Sequence, residues 1–283
     1  MPDKNRGKPS MAYVKTRDGT QLFYHDWGHG RPVILIHGWP LNADMWEYQQ
    51  VFLAEHGFRT IAYDRRGFGR SDKPWTGYDY NTLADDLADM INTLDLHDAA
   101  LVGFSMGGGE VARYLSRHGT DRIGKAALVA AVTPFLLRTE DHPEGVDGAA
   151  FDQMINSIRS DRASFMAGFG RIFFGAGLLN FQVTSDILQW SWGLAMQASP
   201  KATLDCVRAF SATDFRADMS HFTMPTLIVH GDADATVPPD ITAHEAARLI
   251  PHATLKEYEG EPHGLYFTAR DRLNSDLIAF LSA

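Results

Sequence analysis

The chain alternates between short continuous apolar runs and longer stretches with helical periodicity. The apolar or β-branched runs predict strands at 12–16, 21–27, 32–37, 58–64, 99–104, 125–132, 226–231 and 253–258. Helical stretches lie between most of the later runs, at 43–55, 81–94, 106–118, 238–250 and 266–282. Apolar strands separated by helices predict an α/β fold: a mostly parallel eight-stranded sheet flanked by helices, with an antiparallel start at the first two strands.

Residues 133–222 interrupt this alternation, because no strong strand pattern occurs there and aromatic side chains are frequent. These are Phe135, Phe151, Phe165, Phe169, Phe173, Phe174, Phe181, Trp190, Trp192, Phe210 and Phe215. Such a block, inserted after the sixth strand, predicts a helical cap over the carboxyl edge of the sheet, where α/β proteins bind ligands. Most of these aromatics are expected to form the core of the cap, and a few to face the site.

The predicted organisation is a flexible tail at 1–10, a core domain formed by 11–132 and 223–283, and a cap at 133–222. The polar opening segment lacks the apolar stretch of a secretory signal. The apolar run at 126–132 is far too short to span a bilayer, so no membrane is expected as a partner.

Composition narrows the choice of partners. Hydrophobic residues at 45% and charged residues at 22% are ordinary for a globular protein. The formal net charge of -9 provides no clustered positive charge for nucleic acid or anionic lipid, so small neutral or apolar ligands are expected. The single cysteine, Cys206, excludes an intrachain disulfide and a multi-cysteine metal site, and it fits a reducing cytoplasm.

Ser105 lies in a glycine-rich segment between a predicted strand and a predicted helix, which suggests either a phosphate loop or a nucleophile turn. The spacing of the glycines matches neither G-x-x-x-x-G-K-[ST] nor G-x-G-x-x-G, and no lysine follows. A serine flanked by Gly103 and Gly107 at such a junction is typical of a strained nucleophile elbow. The following helix N-terminus also favours a developing negative charge. We therefore interpret Ser105 as a nucleophile.

A serine nucleophile needs a histidine base and an acid that orients this base, and in elbow folds both follow later strands. His263 lies directly after the eighth predicted strand, and Asp232 and Asp234 follow the seventh. We favour Asp234 as the acid, because Asp232 follows a glycine, where a turn-stabilising contact is the ordinary role. Other histidines lie at helix ends, in polar turns or beside strands: His29, His97, His118, His142, His230 and His252.

The tetrahedral intermediate of acyl transfer requires hydrogen-bond donors for its oxyanion. The residue after the nucleophile, Met106, provides one backbone N–H, and the loop after the third strand provides another. Trp39 is the expected donor in that loop because Pro40 has no N–H, and the Trp39 indole is expected to border the acyl pocket. For His37 we prefer a hydrogen bond that holds this loop over a catalytic role.

The cluster of His230, Asp232 and Asp234 also invites a metal assignment. Neither a second histidine pair nor an H-E-x-x-H motif completes such a site, so no metal is expected.

Six segments carry these motifs: HGWP at 37–40, YDRRGFGRSDKP at 63–74, GFSMGGGEVARY at 103–114, ATDFRADM at 212–219, PTLIVHGDADATVP at 225–238 and EGEPHG at 259–264. With them, the chain from about Met11 to its end resembles the α/β-hydrolase superfamily, and within it the cofactor-free bacterial haloperoxidases (perhydrolases) and their aryl esterase relatives. The resemblance implies a triad of Ser105, Asp234 and His263, with oxyanion donors at Trp39 and Met106.

The resemblance further implies hydrolysis of small carboxylic or aryl esters through an acyl-serine, without a cofactor. Hydrogen peroxide in place of water would give a peracid that oxidises halide. Pro40, which we also expect to contact substrate, is the residue found in the peroxidase-named members and favours perhydrolysis. Symmetric homo-oligomers are implied as well.

Alternative functions differ in how well they fit the same residues. Ser105 argues against epoxide hydrolases and haloalkane dehalogenases, which place Asp at the elbow. Lactonases and amidases share the triad and stay open as alternatives. A ligand receptor that keeps the hydrolase fold is disfavoured by the intact triad.

Overall fold

The computed structural model describes residues 12–177 and 183–283, and these residues form an eight-stranded sheet. The strands are β1 (Ala12–Lys15), β2 (Gln21–Gly28), β3 (Arg31–Ile36), β4 (Phe58–Tyr63), β5 (Ala99–Phe104), β6 (Ile123–Val129), β7 (Thr226–Gly231) and β8 (Thr254–Tyr258). Their order is β1-β2-β4-β3-β5-β6-β7-β8. β2 is antiparallel to β1 and β4, and all other neighbours are parallel. The predicted α/β class and its antiparallel start are confirmed.

Ten α-helices are described. They are α1 (Glu47–Glu55), α2 (Tyr80–Thr93), α3 (Met106–His118), α4 (Gly148–Ser160), α5 (Arg162–Phe173), α6 (Ser185–Met196), α7 (Pro200–Ala212), α8 (Ala243–Leu249), α9 (Leu265–Thr268) and α10 (Arg270–Ser282). Short 3-10 turns precede α1 and α8, at Ala43–Trp46 and Pro239–Ile241. Across the described chain, no helix combines the length and apolar character needed to cross a bilayer.

The central strands are buried on both faces of the sheet, which explains their continuous apolar sequences. Side chains alternate between the faces of a strand. Accordingly, Ile34 and Leu101 belong to one buried apolar cluster, whereas Val33 and Val102 belong to another. The first cluster includes residues of α2, α3 and α8, and the second includes residues of α1 and α10. The sheet is thus held between two layers of helices.

The end of β6 differs from the sequence prediction. The apolar run predicts a strand to residue 132, whereas β6 ends at Val129 and Ala130 adopts a positive φ of 44°. The run continues because the following residues are buried at the site: Val132 is 2% exposed and its N–H donates to the Ser105 carbonyl. The chain therefore turns at Ala130 while it remains apolar.

Helices α4, α5, α6 and α7 lie in the segment 133–222, for which the sequence predicts a helical cap. Asp147 caps the N-terminus of helix α4, and Asp161 caps that of α5, where its carboxylate accepts from the Ser164 N–H. We keep the name cap segment for residues 133–222. The predicted tail at 1–10 lies outside the described residues, as do Met11 and Phe181.

Candidate active site

Ser105 lies between the end of β5 and the start of α3, in a backbone conformation that side chains rarely adopt, with φ 53° and ψ -119°. Close packing on both sides of this turn requires glycine. A Cβ at Gly103 would lie 2.5 Å from the Gly107 carbonyl oxygen, and one at Gly107 would lie 2.5 Å from the carbonyl oxygen of Ile36. The sharp turn directs the Ser105 hydroxyl away from the sheet edge, toward the loops that follow β7 and β8.

A continuous hydrogen-bonded chain joins Ser105, His263 and Asp234. Nε2 of His263 lies 2.9 Å from Oγ of Ser105, and Nδ1 lies 2.6 Å from Oδ2 of Asp234. An ionised carboxylate only accepts, so Nδ1 carries the proton and Nε2 is left to accept from the serine hydroxyl. All three residues are buried, with exposed fractions of 6%, 1% and 5% respectively. The geometry is that of a nucleophile with a base and an orienting acid.

The Asp234 carboxylate receives hydrogen bonds on both oxygens. Oδ1 accepts from the N–H groups of Thr236 and Val237, each at 2.8 Å. Oδ2 accepts from His263, and Nε2 of a second buried histidine, His230, lies 3.2 Å from it. Burial alone would raise the pKa of Asp234. The charge of His263 when protonated and hydrogen bonds from both histidines outweigh burial and hold this pKa well below its ordinary value. The carboxylate is therefore kept ionised.

The loop that carries His263 is packed against the end of cap helix α5. The imidazole contacts the Phe173 ring edge-to-face, at 4.9 Å between centroids, and the Phe104 ring at 5.0 Å. The N–H of Gly264 donates to the Phe173 carbonyl at 2.7 Å. A Cβ at Gly264 would overlap the ring of Phe174. The cap segment therefore takes part in fixing the position of the histidine.

The two peptide groups whose N–H groups are the predicted oxyanion donors are each held by their carbonyl oxygen. In a trans peptide the C=O and N–H point in opposite directions. The Gly38 carbonyl, which shares a peptide with the Trp39 N–H, accepts from Leu41 N at 3.0 Å and lies 2.9 Å from His37 Nδ1. The Ser105 carbonyl, which shares a peptide with the Met106 N–H, accepts from two backbone N–H groups, at 3.0 and 3.2 Å. Both N–H groups are thereby oriented before any ligand arrives.

Ser105 and His263 border a small apolar cavity of about 40 Å³. Its other lining residues are Trp39, Val132, Leu136, Phe151, Met154, Phe169, Phe210, Thr236 and Val237. The Trp39 indole is fixed by a 3.1 Å hydrogen bond from Nε1 to the Thr203 carbonyl. A small volume and an apolar lining favour a short acyl group beside the nucleophile.

A larger open groove of about 640 Å³ adjoins this inner cavity. Met154, Phe169 and Thr236 line both spaces, so they form the boundary between them. The groove combines the apolar side chains of Phe165 and Ile172 with serine hydroxyls from α4 and α5. The groove is open to solvent and is separated from the cavity at Ser105 only by these shared side chains.

Other residues singled out from the sequence take different places. Asp232 accepts from the Gly260 N–H at 2.6 Å, and the carboxylate that is hydrogen-bonded to His263 is that of Asp234. Nε2 of His37 accepts from the Arg65 N–H at 2.9 Å, and burial followed by the charge of Arg65 lowers the His37 pKa well below its ordinary value. Pro40 lines a separate small cavity, which shares Phe169 with the cavity at Ser105.

Thiol nucleophiles and metal ions are two other common catalytic groups. Burial raises the pKa of the Cys206 thiol to about 12, so it stays protonated and is a poor nucleophile. Within 12–177 and 183–283, no group of three or more His, Cys, Asp or Glu side chains is arranged to hold a metal ion.

Sequence reasoning did not assign the contacts that His230 and Phe173 make in the site. His230 ends an apolar strand, where a local hydrogen bond is the ordinary expectation, and its contact with Asp234 depends on how the loop after β7 folds back. Phe173 is one of many cap aromatics, and nothing in the local sequence distinguishes it from its neighbours. The one sequence pattern that could have predicted the His230 contact is the H-x-x-x-D spacing, which places His230 and Asp234 at the two ends of this tight loop.

Comparison with known proteins agrees with the fold. Residues 31–269 match the family model described as the alpha/beta hydrolase fold. The chain is 44% identical over 274 residues to the non-heme chloroperoxidase CPO-A1 of Kitasatospora aureofaciens, covering 96% of this chain and 100% of that relative. It is 39% identical over 274 residues to the bifunctional esterase/perhydrolase DCH of Acinetobacter calcoaceticus, covering 96% and 99%. The solved bromoperoxidase from Bacillus anthracis superposes with a TM-score of 0.94 at 46% identity, covering 97% and 100%.

Proposed function

Because the chain belongs to the alpha/beta hydrolase fold family, we propose that it is a serine esterase that forms an acyl-serine intermediate and acts as a perhydrolase when hydrogen peroxide replaces water. The observation that carries this proposal is the buried chain from Ser105 Oγ through His263 to Asp234. Relatives named non-heme chloroperoxidase and esterase/perhydrolase support the same activity.

The first half of the reaction acylates Ser105. Oγ attacks the ester carbonyl carbon while its proton moves to Nε2 of His263, and Asp234 stabilises the resulting imidazolium. The negative charge on the carbonyl oxygen is stabilised by the N–H groups of Trp39 and Met106. The imidazolium then donates its proton to the leaving alcohol oxygen, the C–O bond breaks, and the alcohol departs.

The second half transfers the acyl group to water or hydrogen peroxide. His263 removes a proton from the incoming nucleophile, which attacks the acyl carbon, and the proton is then returned to Ser105 Oγ as it leaves. Water gives a carboxylic acid, and hydrogen peroxide gives a peracid. The free peracid transfers its outer oxygen atom to a halide ion, which yields hypohalous acid and the carboxylate anion. Relatives named chloroperoxidase and esterase/perhydrolase support this step.

The cavities favour a small-molecule ester with a short acyl group. A volume of about 40 Å³ beside Ser105 holds on the order of three waters, enough for a short chain of carbons. His263 must protonate the leaving oxygen, and His263 lines the inner cavity. The groove shares Met154, Phe169 and Thr236 with this cavity, so it is the open space into which the alcohol part of the ester extends.

The direct test is covalent labelling of the purified protein with an aryl phosphonate, followed by peptide mass spectrometry. We expect one modified residue, Ser105, and loss of phenyl acetate hydrolysis in proportion to labelling. Hydrolysis that persists after complete labelling of Ser105, or labelling elsewhere that accounts for the loss, would contradict the proposal.

A further inference from the structure

A buried ion pair connects the two parts of the chain that carry the proposed oxyanion donors. Nε of Arg65 lies 2.7 Å from Oε2 of Glu110, and the two side chains are 1% and 0% exposed. Glu110 belongs to helix α3, whose first residue is Met106. Arg65 follows β4, in the segment before α2. Neither residue lines the cavity at Ser105.

Arg65 also binds the loop that contains Trp39, and it does so through both its backbone and its side chain. Its N–H donates to His37 Nε2 at 2.9 Å, and its Nη2 donates to the His37 carbonyl at 2.8 Å. Because Nε2 accepts, the His37 proton is on Nδ1, which donates to the Gly38 carbonyl. The contacts of Arg65 thus lead through His37 to the peptide that carries the Trp39 N–H.

Stability alone explains this ion pair poorly. The other carboxylate oxygen, Glu110 Oε1, is buried and has no hydrogen-bond partner among the described residues. Burial raises the pKa of Glu110 well above its ordinary value. A buried ion pair with an unsatisfied oxygen is commonly no more stable than apolar side chains of the same size. Its position between two functional elements therefore needs another explanation.

We propose that Arg65 and Glu110 are positioning residues that set the separation and orientation of the Trp39 and Met106 N–H groups. The guanidinium joins the loop after β3 to helix α3, so that both donors are preorganised around one oxyanion. The inference rests on the proposed esterase function, because it assigns the pair to that reaction. Removal of the pair weakens binding of the tetrahedral intermediate while substrate binding stays nearly constant.

The experiment compares three variants by kinetics on phenyl acetate, by inhibition with phenylboronic acid and by thermal unfolding. Glu110→Gln removes the charge of the partner. The double variant Arg65→Met with Glu110→Met removes both charged groups and leaves no buried charge unpaired. The matched control is Asp86→Asn, which disrupts the neighbouring buried pair Arg66–Asp86, at 2.6 Å and with exposed fractions of 2% and 4%.

We expect kcat to fall about 10 to 100-fold in Glu110→Gln and in the double variant, because a small misplacement of an oxyanion donor is costly. The KM of both should stay within about threefold of wild type, and boronic acid inhibition should weaken in parallel with kcat/KM. Asp86→Asn should lower the unfolding temperature and leave kcat within about threefold.

Three results would overturn the inference. The first is a folded double variant with wild-type kcat, and the second is an equal loss of kcat in Asp86→Asn. The third is failure of both pair variants to fold, because the pair would then be required for the fold itself. Failure of the proposed esterase function would look different, since the wild-type protein would not hydrolyse phenyl acetate.

Discussion

Nε2 of His230 lies 3.2 Å from Oδ2 of Asp234, the same oxygen that receives Nδ1 of His263. The His230 Nε2 also lies 3.0 Å from the Val237 carbonyl, and the Val237 N–H binds the other oxygen of Asp234. The second histidine thus closes a compact loop around the acid. It limits rotation of the carboxylate without contacting Ser105.

Replacing His230 with Phe should lower kcat about tenfold, because one hydrogen bond to a charged group is lost at the acid that orients the base. His230→Gln, which can still donate an N–H, should retain more of the activity. Steady-state kinetics on phenyl acetate shows which of the two variants has the higher kcat. Equal activity in both would show that the His230 donor is unimportant.

Ser105→Ala and Ser105→Gly separate the chemistry from the backbone strain at the elbow. Both variants should lose about 10⁴-fold or more in kcat, because the nucleophile is absent. Since φ at this position is 53°, Ser105→Gly should be about 1 kcal/mol more stable than Ser105→Ala, against the usual preference for alanine. Urea unfolding of the two variants measures the difference. A more stable alanine variant would mean that the elbow stores no strain.

Phe169→Ala should broaden the range of esters accepted. The Phe169 ring separates the inner cavity from the outer groove and packs against Trp39 at 5.3 Å between centroids. Its removal should raise kcat/KM for phenyl benzoate relative to phenyl acetate by about tenfold. The matched control is Phe165→Ala, because Phe165 stacks on Phe169 but lines only the groove. A similar change in the control would assign selectivity to the groove instead.

Pro40→Leu should lower the ratio of perhydrolysis to hydrolysis. Pro40 fixes the backbone next to Trp39 and lacks an N–H, and a leucine would free this backbone and add a donor beside the oxyanion loop. The measurement is peracid formation against acid formation at matched peroxide concentration. Because Pro40 lines the neighbouring cavity with Phe169 and Phe173, Ser191→Ala in the same cavity serves as the control. An unchanged ratio would remove Pro40 from the determinants of acceptor choice.

The buried Cys206 thiol should make the free energy of unfolding depend on pH. Burial raises the pKa of the Cys206 thiol in the folded protein to about 12, from an ordinary value of about 9. Its contribution to stability is therefore complete below about pH 9 and is lost as pH rises toward 12. Between pH 9 and 11, the free energy of unfolding should fall more steeply in wild type than in Cys206→Ala, by up to about 1.4 kcal/mol per pH unit. Urea midpoints at pH 8 and 10.5 test this, and parallel slopes would contradict it.

The fold and the residues of the hydrogen-bonded chain Ser105–His263–Asp234 could be anticipated, because both depend on patterns in the local sequence. Apolar runs mark the buried strands, and the glycines around Ser105 mark the turn. The predicted end of β6 was three residues too far along the chain, since an apolar run does not distinguish a strand from a buried turn beside a cavity. The Arg65–Glu110 pair could not be anticipated, because the two residues are 45 positions apart and meet only in the folded interior.

The bond from the Gly264 N–H to the Phe173 carbonyl also bears on protein engineering. If a cap from another hydrolase were grafted onto this core, the Phe173 carbonyl would be replaced, and the Gly264 N–H in the loop that carries His263 would lose its present acceptor. The graft would thus change the base as well as the substrate pocket. A chimera that keeps the junction from Phe173 to Phe174 should preserve turnover while the rest of the cap is exchanged.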